Sequence, residues 1–273
     1  MGITPIEYRP WTGKRTEHGR RFLVIADRIL RHSLSSKWFL AVLILGLFLA
    51  FALNIIFLSI TPHESLTAQT MADQFKNGLF FLFMVILVSM LCSDLLAEDL
   101  RSNSLVLYLY RAIKPEGYLL GKLSGAFVTL ALFALLPPLI MAVALTATQS
   151  GPDYASSAVV IGETLLAGAF ATVFLLPIGL MMSSLTKRRT YAAAGTFMAI
   201  FVLGIVAGIF AQYDANWQLL DPGNVLSLTY DLIFGIALPT GIDQGMIPLI
   251  AAAMTLVPLF VAYYQIVRKG VGK

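Results

Sequence analysis

The sequence has little charge and only one cysteine. Charged residues make up 12% of its 273 residues, whereas hydrophobic residues make up 58%. Soluble domains carry about 25% charged residues, so a compact soluble fold could not cover its surface with these side chains. We therefore interpret the chain as a membrane protein. Because Cys92 is the only cysteine, the sequence excludes an internal disulfide framework and a multi-cysteine metal site. Its position in an apolar run predicts a packed, unreactive thiol.

Several enzyme and carrier signatures are also missing. No Gly-x-Ser sequence occurs, and the three histidines lie outside the apolar runs, which argues against an intramembrane serine or zinc protease. The glycines before Lys122 lack the spacing of an ATP-binding P-loop, so the chain has no ATPase motif and we do not expect an enzyme. The methionines do not share a helix face with Cys92, so we predict no metal site. The centres of the apolar runs hold no charged residue, which argues against an ion-driven carrier.

The sequence does contain six apolar runs long enough to cross a bilayer core, which needs about 20 helical residues. This pattern predicts an all-α membrane protein with six transmembrane helices. It divides the chain into a cytoplasmic N-terminus at 1–37, a transmembrane domain at 38–267 and a cytoplasmic tail at 268–273. The predicted spans are 38–60, 77–97, 118–148, 158–186, 190–212 and 246–267.

The distribution of charge predicts the orientation of these spans. Of the 19 Lys and Arg residues, 18 fall on one side and only Lys76 falls on the other. Cytoplasmic segments are enriched in Lys and Arg, so we predict a multi-pass protein with both termini in the cytoplasm. With 7 acidic residues on the cytoplasmic side and 8 on the outer side, the formal charge of +4 divides into +11 and −7.

The segment before span one has the pattern of an amphipathic helix. At helical spacing, apolar residues between Phe22 and Leu34 fill one half of the wheel, and basic residues that include Arg20, Arg28 and Arg31 fill the other. This pattern predicts an interfacial helix in the headgroup plane, with its apolar face toward the hydrocarbon. The basic face has two interpretations, a lipid anchor or a docking surface for a cytosolic partner.

The cytoplasmic loop after span two, residues 98–117, combines acidic, basic and apolar residues. Asp94 and Glu98 are four residues apart and Arg101 follows after three more, so they share one helical face. Arg101-Ser-Asn-Ser104 predicts the end of this helix, with Ser104 as the N-cap of a short apolar helix. That apolar helix must bury itself against the chain's own spans or against a soluble partner. The candidate residues of this region are Asp94, Glu98, Asp99, Arg101, Ser104, Leu105, Leu107, Tyr108, Tyr110 and Arg111.

Two further features involve helix breakers. In the outer region 213–245, an apolar stretch at 232–242 is too short to span and contains Pro239 and Gly241, which predicts a re-entrant helical hairpin before the last span. Within the spans, prolines predict kinks because each removes a backbone donor. These prolines are Pro137, Pro138, Pro177 and Pro258.

Together these features resemble the six-span permease subunits of ATP-binding-cassette exporters of the ABC-2 type. The resemblance covers nearly the whole chain, from the amphipathic helix to the region before span six. The segment AEDLRSNSLVLYLYRAIKPEGYLLGKL is similar to the family's coupling loop between spans two and three. The opening EYRPWTGKR is similar to the N-termini of prokaryotic members.

The resemblance implies a set of partners. Two permease subunits, as a homodimer or a related heterodimer, would face each other in the lipid of a prokaryotic plasma membrane, and each would dock a cytosolic ATPase subunit. That partner would bind ATP and Mg, so no cofactor is expected in this chain, and no nucleic acid is expected either. The loop after span two would transmit the ATPase's motion. The alternative is a non-transporting membrane anchoring or assembly protein that uses the same cytoplasmic helices.

The resemblance also implies that spans two and five lie near the subunit interface and the translocation pathway. Aromatic and Met side chains in span two would suit an apolar pathway, although ordinary packing is the alternative. In span five, two glycines four residues apart permit close helix approach, although small residues also face lipid. The candidate pathway or dimer contacts are Phe80, Phe81, Phe83, Met84, Gly204 and Gly208.

Overall fold

The computed structural model describes residues 21–52, 56, 68–105, 108, 114–148 and 154–271. Within these ranges every regular element is a helix, as the sequence predicts. Four candidate residues lie outside them, namely Arg20 of the amphipathic helix and Leu107, Tyr110 and Arg111 of the loop.

Most of the described residues lie in helices. The amphipathic helix is labelled α1. Helix α2 begins span one and continues as a π-helical turn at Phe48–Ala52. A 3₁₀ turn at Ala215–Leu220 precedes the helix Pro222–Ile233. The helices are α1 Arg21–Ser35, α2 Lys37–Leu47, α3 Ala68–Lys76, α4 Gly78–Leu95, α5 Ala97–Arg101, α6 Pro115–Ala134, α7 Leu136–Thr148, α8 Tyr154–Leu185, α9 Arg189–Phe210, α10 Pro222–Ile233 and α11 Met246–Val271.

Among the described residues, five helical segments are long and apolar enough to cross a membrane. A sixth is added if the bent pair Phe22–Ser35 and Lys37–Ala52, which meet at 78°, counts as one span. The five segments correspond to predicted spans two to six, and they are Gly78–Arg101, Pro115–Ala144, Ala158–Leu185, Arg189–Phe210 and Met246–Lys269. The chain therefore has the all-helical, multi-pass character that its composition indicates.

The third span is broken in the middle. Helix α6 ends at Ala134 and α7 begins at Leu136, because Pro138 has no N–H to donate to the Ala134 carbonyl four residues earlier. Gly168 of α8 lies against this carbonyl, so closely that a β-carbon on Gly168 would be 2.5 Å from the oxygen. The break is thus a contact point between spans three and four. By contrast, α8 runs on through Pro177, and α11 likewise continues through its own proline.

Span two is the central helix of the bundle. Among the five segments its apolar stretch is the most buried, whereas those of spans five and six are the least buried. Phe80 of this helix stacks on Phe133 of α6 at a centroid distance of 5.5 Å. Phe51 and Phe75 meet Phe80 edge-on at 5.8 and 5.4 Å. This aromatic group joins spans one, two and three with the helix α3.

The outer region differs from the prediction. Within the predicted region 213–245, the helix is α10, which precedes most of the apolar stretch 232–242. Residues 234–245 form turns and irregular backbone, so the helical part lies upstream of the stretch from which the hairpin was predicted. Asp221 caps α10 by accepting a hydrogen bond from the Gly223 N–H at 2.9 Å. The helix ends because Gly235 adopts a φ of +65°, a left-handed conformation that commonly terminates helices.

Candidate functional site

The charged residues at the end of span two form the centre of a cluster. Helix α4 ends at Leu95, and α5 begins at Ala97 after a one-residue break at Leu96. At the break, the N–H groups of Leu96 and Ala97 both donate to the Ser183 hydroxyl, at 3.1 and 3.0 Å. Helix starts leave such N–H groups without helical partners. Ser183 of span four therefore fixes the point where the loop region leaves span two.

Asp94 and Glu98 share one arginine. They lie one helical turn apart, as their spacing predicts, and the Nε of Arg189 is 2.9 Å from Asp94 and 3.0 Å from Glu98. Arg189 is the first residue of α9, where the helix dipole disfavours a positive charge. The two carboxylates offset this cost and attach span five to the end of span two. Arg101 is more loosely placed, 3.5 Å from Glu98 and mostly exposed.

Asp99 faces the opposite way, toward span three. Its carboxylate accepts hydrogen bonds from the Tyr118 hydroxyl and from the Ser104 hydroxyl at 3.0 Å, and it pairs with Lys122 at 2.8 Å. Because the side chains of Asp99 and Lys122 are only 16% and 12% exposed, this ion pair is mostly shielded from water. We name Asp94, Glu98, Asp99, Lys122 and Arg189 the charge cluster.

A turn at residues 102–103 follows α5. Helix α5 ends at Arg101 as predicted, and Asn103 adopts a φ of +54°, which Asn tolerates better than most residues. Leu105 is buried. The Tyr108 ring packs on Tyr118 at 5.8 Å. Of the two predicted ways to bury this apolar segment, its described residues therefore use the chain's own helices.

The amphipathic helix contacts the same region. The Arg28 guanidinium donates to the Tyr108 hydroxyl at 3.3 Å, whereas Arg31 pairs with Asp27 at 2.9 Å on an exposed surface. The apolar face of α1 docks on α6, where a β-carbon on Gly121 would come within 2.9 Å of the Phe22 carbonyl. The prediction that this face enters the hydrocarbon is thus incomplete, because part of it packs on span three. The signal that the sequence interpretation missed is Gly121-x-x-x-Gly125.

The pathway candidates separate into two groups. Phe80, Phe83 and Met84 are buried among the chain's own helices, so within one copy they serve packing. The other three candidates line a cavity of about 540 Å³. In this cavity Gly204 lies under the Asp221 carboxylate, and Gly208 has open space beside it. The residues of this second group are Phe81, Gly204 and Gly208.

The charge cluster is an arrangement of ion pairs. Among the described residues, no three His, Cys, Asp or Glu side chains are placed to hold one metal ion.

No protein-family model matches the chain, and no curated protein matches it.

The function therefore has to be inferred from the geometry. The charge cluster and Ser183 connect the segment after span two with the starts of spans three and five and with the end of span four. Such an arrangement can transmit a displacement from a short loop to the membrane helices.

Proposed function

We propose that the chain is the permease subunit of an ATP-driven exporter of the ABC-2 type, as its sequence resemblance implies. Two such subunits form the pathway in a prokaryotic plasma membrane, as a homodimer or a related heterodimer. A separate cytosolic ATPase subunit binds ATP and Mg and docks on the side that holds the charge cluster. Both termini lie on that cytoplasmic side.

The observation that carries this proposal is the charge cluster. A loop that only connected two spans would need no contact with other helices. Here Asp99 binds Tyr118 and Lys122 of span three, and Glu98 binds Arg189 of span five. An ATPase that moves residues 98–117 therefore pulls on both spans through charge-assisted hydrogen bonds, which are stronger than neutral ones.

The pairing of charges supports the predicted sidedness. Each ion pair of the described residues joins two partners from the same predicted side. Lys76, the only basic residue assigned to the outer side, pairs with Asp231, which is assigned to the same side. The burial of Asp231 explains why a basic residue lies on this side, since a buried carboxylate without a partner is strongly destabilising.

The proposal is tested by isolating the chain with its native partners. A tagged chain should co-purify with a soluble protein that carries a P-loop, and the reconstituted complex should show substrate flux that depends on ATP hydrolysis. Transport by the purified chain alone, with no such partner, contradicts the proposal. A stable complex without any ATP-dependent flux supports the anchoring or assembly function instead.

A further inference from the structure

The cavity beside Gly204 and Gly208 lies at the end of the bundle where span two begins and span five ends. Its volume is about 540 Å³, which is within the range of ligand-binding pockets. Spans two and five form two of its walls, and α3, the 3₁₀ turn and α10 form the others. On the span-five wall the small residues Gly204, Ala207 and Gly208 leave room for a ligand. We name it the aromatic cavity.

Three aromatic rings supply much of the apolar lining. Phe75 of α3, Phe81 of span two and Tyr230 of α10 all line the aromatic cavity. The rings of Phe75 and Tyr230 lie 5.2 Å apart and are almost fully buried, whereas Phe81 is partly exposed. Aromatic rings bind apolar groups through contact area and cations through the charge distribution of their faces.

The charges of the aromatic cavity do not balance. Lys76 lines it, but its amine is already paired with the buried Asp231. Asp221 also lines it, and in the described part of the chain no basic side chain forms an ion pair with Asp221. One Asp221 oxygen accepts a hydrogen bond from the Gly223 N–H at 2.9 Å. The other oxygen is left to interact with a ligand.

The surroundings of the cavity are also negatively charged. The segments 68–76 and 211–245, which supply its remaining walls, contain Lys76 as their only basic residue. Such an excess of one sign raises the local concentration of oppositely charged ligands. The carboxylates of these segments are Asp73, Asp214, Asp221, Asp231 and Asp243.

The Phe81 ring and the Asp221 carboxylate lie on either side of one backbone position. A β-carbon on Gly223 would be 3.0 Å from Cζ of Phe81 and 3.4 Å from Oδ1 of Asp221. Aromatic rings recognise organic cations such as quaternary ammonium groups, and a carboxylate adds an ion pair. From this combination we infer that the aromatic cavity binds a lipophilic organic cation. Its charge lies beside Asp221, and its apolar groups contact the three rings.

Binding of such a cation is a property of the chain by itself. That the bound cation is also the exported substrate rests on the proposed function. In that case spans two and five hold the substrate at the end of the bundle opposite the charge cluster.

The experiment is equilibrium dialysis of radiolabelled tetraphenylphosphonium against the purified full-length chain in neutral detergent, with detergent alone as the blank. Tetraphenylborate, an anion of nearly the same shape, is measured separately. We expect saturable binding of the cation and about tenfold weaker binding of the anion, a ratio that corresponds to about 1.4 kcal/mol. If the cation does not bind saturably, or if both ions bind equally well, the inference is overturned.

Asp221→Asn removes the charge but keeps a good helix cap, because asparagine also supplies a side-chain oxygen for the Gly223 N–H. We expect about fivefold weaker binding of tetraphenylphosphonium, or about 1 kcal/mol, at the upper end for partly exposed ion pairs. Asp214→Asn is the matched control. Asp214 caps the 3₁₀ turn in the same way, through the Asn216 N–H at 2.9 Å, but does not line the cavity. An equal loss in both variants would show attraction to the acidic surface in general and refute the site.

Gly208→Leu tests the cavity by filling it. Nothing lies within 4 Å of a β-carbon at Gly208, so the variant should fold and should no longer bind the cation. Gly162→Leu should bind normally, because Gly162 has the same open space and lies outside the cavity. Circular dichroism verifies folding, and light scattering gives the mass of each variant. If Gly208→Leu changes the number of chains per complex, the cavity is a contact between subunits and the inference is overturned.

The two proposals can fail independently, because every binding measurement is made without an ATPase. Absence of cation binding in a chain that still supports ATP-dependent flux of another compound refutes only the cation site. Cation binding by a chain that has no ATPase partner refutes only the exporter function.

Discussion

Gly125 of span three lies directly against Ala26 of the amphipathic helix, so closely that a β-carbon on Gly125 would come within 2.8 Å of the Ala26 Cα. Gly121 makes the same kind of approach one turn earlier, against Phe22 and Ile25. Two helices can meet at this distance only where side chains are small. The amphipathic helix is therefore attached to span three, and the two are expected to move together.

Gly125→Leu should destabilise the chain, because the new side chain forces the two helices apart. We expect a loss of about 1–3 kcal/mol, which is typical of overpacking, measured as a lower midpoint of thermal unfolding in detergent. Gly162→Leu is the matched control, because nothing lies within 4 Å of a β-carbon at that position. An unchanged midpoint in Gly125→Leu would show that the helix docking contributes little to stability.

Glu98→Lys should uncouple ATP hydrolysis from transport in the reconstituted complex while membrane insertion remains intact. The lysine repels Arg189 and Arg101, and the loss of a charge-assisted bond of about 1.5 kcal/mol corresponds to about a tenfold lower transport per ATP hydrolysed. Arg101→Glu should uncouple less, since its contact with Glu98 is longer and more exposed.

Charge reversal at a neighbouring position provides the control for this experiment. Arg188→Glu should retain coupling, because Arg188 lies beside the Tyr191 ring and outside the charge cluster. Combining Glu98→Arg with Arg189→Glu should restore part of the coupling, because the opposite charges are re-formed in exchanged positions. If both Glu98→Lys and Arg101→Glu couple normally, the loop 98–117 is not the coupling element.

Lys76→Met should destabilise the end of the bundle where α3 meets α10. Asp231 is 4% exposed, and removing its partner leaves a buried charge, at a cost of about 3 kcal/mol. Adding Asp231→Leu to the same chain should recover most of this stability, since an apolar pair avoids the cost of removing two charges from water. Thermal unfolding of the two variants measures the difference, and a double variant as unstable as Lys76→Met would contradict the pairing.

Thiol labelling should reveal the orientation of the spans. Cys92 is fully buried, so the parent chain should resist maleimide reagents. Ser102→Cys should react only in inverted membrane vesicles, and Tyr213→Cys only in intact cells, because both positions are exposed and are predicted to lie on opposite sides. Reaction of both variants from the same side would refute the predicted topology.

Much of the fold follows from local sequence properties. The lengths of the apolar runs predict most ends of spans two to six to within a few residues. The break at Arg101 follows from turn chemistry, and the break at Pro137-Pro138 follows from a missing backbone donor. The sequence does not predict α10, because its polar and apolar residues are mixed. The prediction of a hairpin rests instead on the neighbouring apolar stretch at 232–242.

The partners of the charged residues could not be read from the sequence. Asp94 and Glu98 were placed on one face by their spacing, but Arg189 is about ninety residues further along the chain, and no local pattern links them. Likewise four Gly-x-x-x-Gly patterns occur in the sequence, and the sequence interpretation singles out Gly204 and Gly208. The structure uses Gly121 and Gly125 for close helix contact, while Gly208 borders a cavity.

The sequence by itself determined that the chain is helical and apolar, with several segments long enough to cross a membrane, because these properties depend on composition and on hydrophobic length. Only the tertiary structure decided which helix ends are joined through the charge cluster and which glycines lie at a contact. These depend on how the helices are rotated about their axes, which is fixed by the packing of distant side chains.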